Sequence, residues 1–93
     1  MAVHTLPDIT VGAAQRISAT TLPCTWFMVQ AVTGNGAVMR VGDSGVGTAE
    51  GAIVSTTGTV QFPPCGNANT YNLYDTWIFG TASDKAAVTY GTS

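Results

Sequence analysis

Apolar residues in this chain gather into short runs separated by glycine, proline, asparagine and serine, and none of these runs repeats at the interval of a helix face. Residues 24–32, "CTWFMVQAV", are the strongest candidate strand, rich in aromatic and β-branched side chains. "TGNG" follows, and Asn35-Gly36 suits the positive φ angles of a type I′ turn, so "AVMRV" is expected to return as its hairpin partner. A shorter strand is predicted around Arg16–Thr20, ended by Pro23. Further on come "AIV", then "TGTVQFP" ended by Pro63-Pro64, then "YNLYDTWIF" as one long strand, a turn at Ser83-Asp84-Lys85, and a closing strand "AAVTY". Six to seven short strands with turn signals between them predict an all-β fold, a small antiparallel β-sandwich or jelly-roll-like domain over residues 15–93. Residues 1–14 are expected to form an N-terminal arm or peripheral segment, with Leu6, Ile9 and Val11 as its apolar contacts.

Alternation along the two longest runs divides their residues into faces. In the first, Trp26, Met28, Gln30 and Val32 share one face and Thr25, Phe27, Val29 and Ala31 the other. In the second, Tyr71, Leu73, Asp75, Trp77 and Phe79 oppose Asn72, Tyr74, Thr76 and Ile78. Strands apolar on both faces are either central to the fold or covered by another subunit.

Composition sharpens that expectation. Only 9% of the residues are charged while 45% are hydrophobic, so the surface has to be built from hydroxyls, amides and glycine, and a net charge of −2 gives little protection against association. The three basic residues, Arg16, Arg40 and Lys85, are scattered, which argues against nucleic acid and against an anionic membrane as partners. No apolar run reaches the length of a membrane span, and the opening residues show neither a basic leader nor a long apolar core.

Candidate chemistry is concentrated in "VGDSGVGTAEGAIV", residues 41–54. Ser44 as a nucleophile would need a base, and His4 is the single histidine, in the N-terminal segment with none following the serine. The glycines lack both the third position of a dinucleotide fingerprint and the lysine of a phosphate loop. Asp8, Asp43, Glu50, Asp75 and Asp84 are spread singly and read as solvated loop or turn residues. Cys24 and Cys65 lack the spacing of a metal site and read as packed thiols, while a disulfide between them would require their two segments to meet, which spacing alone does not show. No catalytic, cofactor or metal site is expected, and Gly42-Asp43-Ser44 reads as a turn in which short side chains bond the backbone.

The order "ISATTLP", "FMVQAVTGNGAVMRVGDSGVGTAEGAIV", "GTVQFP", "NLYDTWIFGTASDKAAVTY" resembles a class of small tailed-bacteriophage virion proteins, of the capsid decoration or cement type, across roughly residues 17–90. The resemblance implies a β-sandwich that sits on the outer surface of the capsid as a symmetric dimer or trimer, assembles in the host cytoplasm, and has the major capsid protein and itself as partners. It is compatible with a head-fibre or tail-associated module that binds carbohydrate or a receptor through Trp26, Trp77, Tyr71 and Tyr74. Trp26, Met28, Tyr74 and Trp77, with Leu6, Ile9 and Val11, are the candidate interface residues.

Overall fold

A computed structural model describes residues 2–32, 34–47, 50–63 and 71–92. All the regular structure among them is β, in eleven strands: β1 (Ala2–Thr5), β2 (Ile9–Thr10), β3 (Gln15–Arg16), β4 (Pro23–Cys24), β5 (Trp26–Ala31), β6 (Met39–Gly42), β7 (Ala52–Val54), β8 (Thr59–Phe62), β9 (Tyr71–Asn72), β10 (Trp77–Phe79) and β11 (Lys85–Thr92). The first sheet has the order β1-β11-β5-β8, with β2 also on β11, and the second has the order β3-β10-β6-β7. Every pairing is antiparallel. The β4-β9 ribbon lies where the chain passes between the two sheets.

Period-two alternation explains which side chains meet between the sheets. Phe27, Val29 and Ala31 of β5 and Ala86, Val88 and Tyr90 of β11 are buried from the first sheet, and Met39, Val41, Val54 and Ile78 from the second. Val11, Ile17 and Leu73 from the connections and Cys24 from β4 complete this cluster, so the architecture is a small antiparallel sandwich with one core. Cys65 lies outside the described residues.

The expected hairpin is not formed. β5 pairs with β11 and β8, whereas β6 pairs with β10 and β7, so β5 and β6 belong to different sheets. The positive φ falls on Gly34, at 98°, not on Asn35 or Gly36. Asn35 instead uses its side-chain amide as a surrogate strand: Nδ2 donates to the Lys85 carbonyl at 2.8 Å, and the Lys85 N–H donates to Oδ1 at 2.9 Å. The backbone N–H groups of Gly36 and Ala37 donate to the two carboxylate oxygens of Asp84, at 3.0 and 3.1 Å. Asp84 is therefore buried, not the solvated turn residue its neighbours suggest.

Two further expectations are revised. "YNLYDTWIF" is broken by a turn after Asn72: the Asn72 carbonyl accepts from Asp75 N–H at 2.9 Å and its Oδ1 from Tyr74 N–H at 3.0 Å, which shifts the parity so that Leu73 and Ile78 are both buried. The strand expected over Arg16–Thr20 is only the two-residue β3. The first fourteen residues are built into the sandwich as far as they are described. β1 and β2 both lie along β11, with Thr5 opposite Thr89 and Ile9 opposite Ala86, four steps against three, so one extra residue bulges at Leu6-Pro7-Asp8.

Gly51 is the position where backbone conformation is most constrained. Its φ is +113°, and a Cβ there would lie 2.7 Å from Val46 Cγ2 and 3.1 Å from the Val41 carbonyl oxygen. Gly51→Ala is expected to cost about 2–3 kcal/mol, the sum of left-handed strain and steric overlap. For a domain of this size that lowers the thermal midpoint by about 10 °C or more, and an unchanged midpoint would refute the constraint.

Candidate functional site

Ser44 and His4 belong to opposite sheets. Ser44 follows β6, in a turn closed by Asp43, whose Oδ1 accepts from Gly45 N–H at 2.8 Å. His4 lies on β1, with its ring stacked on Tyr90 at 5.1 Å and its Nε2 3.4 Å from Thr92 Oγ1. Among the described residues no group of three or more His, Cys, Asp or Glu side chains could hold a metal ion.

The outward faces of the two sheets differ in chemistry. On the first sheet, strand register places Val3, Gly91 and Trp26 in one row, Thr5, Thr89, Met28 and Gln61 in the next, and Ala87, Gln30 and Thr59 in a third. These three rows carry no charged side chain, and Lys85 stands at their border. The Trp26 indole lies over Gly91, where any Cβ would run into its ring. That glycine lets a large aromatic surface lie against the sheet, and Val3 beside it is 63% exposed.

The second outward face is aromatic and cationic. Trp77 stands opposite Arg16, Phe79 opposite Arg40, and Arg40 opposite Ile53. The Arg16 guanidinium lies 4.0 Å from the Tyr74 ring centre and 4.8 Å from that of Trp77, donates to the Tyr74 carbonyl at 2.6 Å, and comes within 3.8 Å of Asp75. Arg16 is thus held as a cap over two rings.

The seven candidate interface residues divide into three groups. Trp26 and Met28 sit on the uncharged face, and Tyr74 and Trp77 under Arg16 on the other. Val11 is in the core at 3% exposure, and Leu6 and Ile9 pack partly against it, which withdraws Val11 from any interface. The four aromatics considered for carbohydrate do not form one platform, because Tyr71 packs edge-on against Phe27 and Phe62 and donates its hydroxyl to the Pro63 carbonyl. Sequence reading missed Gly91, Gln61 and Thr89 as members of Trp26's face. Only the register of β11 and β8 on β5 brings them together.

The fold therefore defines an all-β protein with one outward face that is uncharged over three rows and bordered by Lys85, and one arginine-bearing outward face. No protein-family model matches the chain, and no curated protein matches it. Among solved structures it is similar to a subunit from work described as "Bacillus endospore appendages form a novel family of disulfide-linked pili", with 24% identity, a TM-score of 0.45, and coverage of 99% of this chain and 88% of that one.

Proposed function

We propose that this protein is a structural virion subunit that acts by assembly: a capsid decoration protein that binds the outside of a phage head as a dimer or trimer and stabilises it. The observation that supports this reading is the outward face of the first sheet, uncharged over three rows, with Met28 in the middle row and Trp26 in the row beside it. Such a face gains free energy when a neighbour covers it, since no charge has to be desolvated. Neutral hydroxyls and amides around the two large apolar groups supply the polar contacts of an interface rim. Whole-chain resemblance to decoration proteins directs the reading to a virion shell, where symmetry repeats one modest patch many times.

Met28→Glu tests the role of the face. Met28 is half-buried on the outward side of β5, so the substitution leaves the core between the sheets intact and is expected to change monomer stability by under about 1 kcal/mol. Sedimentation velocity is expected to show the wild type as a dimer or trimer and the variant as a monomer. A wild type that stays monomeric, or a variant that assembles equally well, counts against the face as an assembly surface.

A further inference from the structure

The second sheet's outward face carries a separate feature that assembly through the first does not use. A groove of about 260 Å³ is lined by Ala37, Val38, Arg40, Phe79, Gly80 and Thr81. It is smaller than a cavity for a cofactor-sized ligand and is mostly apolar, which suits one or two side chains. Arg40 forms its rim, and strand register continues the line from Phe79 through Arg40 to Ile53. Val38 and Ile53, two of the three large apolar residues exposed among the described residues, at 49% and 53%, flank the arginine. Among the described residues Arg40 is held by one hydrogen bond, from Nη1 to the Gly51 carbonyl at 3.1 Å, and no carboxylate lies within 4 Å of it. A guanidinium has five N–H donors, so four remain for a partner.

We propose that this groove binds an extended acidic segment of a partner protein, in the pattern apolar–x–Asp/Glu–x–apolar. Successive same-side residues of an extended chain are about 7 Å apart, and neighbouring strands about 4.8 Å. A segment that crosses β10, β6 and β7 obliquely, at about 45° to the strands, matches the two spacings, and it puts its first apolar side chain in the groove beside Phe79, its carboxylate on Arg40 and its second apolar side chain beside Ile53. Charge complementarity selects the occupant. Both arginines of the chain lie on this face although the whole chain is net acidic, and Arg16, already engaged by Tyr74 and Asp75, leaves Arg40 as the cation open to a carboxylate. Arginine and phenylalanine, the pair formed here by Arg40 and Phe79, are both enriched at protein interfaces. This inference does not depend on the virion reading, since the face is opposite the one assigned to assembly.

The test uses the full chain and a fluorescein-labelled heptapeptide, Ser-Leu-Thr-Asp-Thr-Leu-Ser, read by fluorescence polarisation at low and moderate salt. The expected result is binding that weakens as salt rises and that falls about tenfold or more when the peptide's Asp is Asn, when its leucines are Ser, or when the protein carries Arg40→Gln. Arg40→Gln is expected to leave the sedimentation of the free protein unchanged. The peptide changes use the wild-type protein, so the inference stands or falls without a folded variant. Absence of binding at millimolar protein, equal binding of the Asp and Asn peptides, or binding that survives a correctly folded Arg40→Gln would overturn it. So would an Arg40-dependent oligomer with no peptide binding, which would assign the face to a second copy of this chain.

Discussion

Asp84→Ala is expected to lower the stability of the domain by about 3 kcal/mol. The carboxylate is 8% exposed and accepts the backbone N–H groups of Gly36 and Ala37, while its own main chain accepts from Val11 N–H at 2.9 Å and donates to the Thr81 carbonyl at 3.1 Å. One residue thus ties the segment before β6 to the start of β11 and to the segment after β2. Alanine keeps the two main-chain bonds and strands the two N–H donors, and donors left without a charged acceptor cost more than the bond alone contributed. Asp84→Asn retains one acceptor oxygen and is expected to lose about half as much. Urea unfolding midpoints for the two variants check the order, and an alanine variant as stable as the wild type would remove Asp84 from this role.

Phe27→Ala should cost still more, about 4 kcal/mol. Its side chain is 1% exposed, stacks on Phe62 with ring centres 4.4 Å apart and planes within 8°, and meets the edge of Tyr71 at 5.2 Å. Truncation removes the ring's own burial and leaves Phe62 and Tyr71 facing a cavity, losing both aromatic contacts. Phe27→Leu refills most of the volume and is expected to lose less than half as much. A loss under about 1 kcal/mol for the alanine variant would mean the aromatic cluster is not part of the cooperative core.

These two residues also mark how far the fold could be read along the chain. β5, β7, β8 and β11 were legible because alternation of apolar side chains is imposed by burial of one sheet face, and that signal is local. Phe27, Val29 and Ala31 were correctly set on one face, and Trp26, Met28 and Gln30 on the other. Residues that act over distance were not legible. Asn35-Gly36 carries the chemistry of a hairpin turn, yet its amide and N–H groups bond residues 84 and 85, a partnership of about fifty positions that no local pattern encodes. Asp84 looked like a solvated turn residue for the same reason. The break after Asn72 depends on that side chain accepting from Leu22 as well as from Tyr74, again a contact formed only once β4 and β9 meet. Of the uncharged face, Trp26 and Met28 were identifiable, whereas its extent depended on which strands pair with β5. Arg40 gave no signal, because its setting between Phe79 and Ile53 arises from the register of β6 on β7 and on the sequence-distant β10.

The measurement that bears most directly on the decoration reading is the temperature at which phage heads assembled without this protein release their DNA, followed by dye access. Adding purified wild-type protein is expected to raise that temperature, with saturation at a fixed ratio of copies to shell subunits, and Met28→Glu is expected to leave it where it was. Wild-type protein that neither binds the heads nor shifts the release temperature, or Met28→Glu protein that protects them as well as the wild type, would contradict the account.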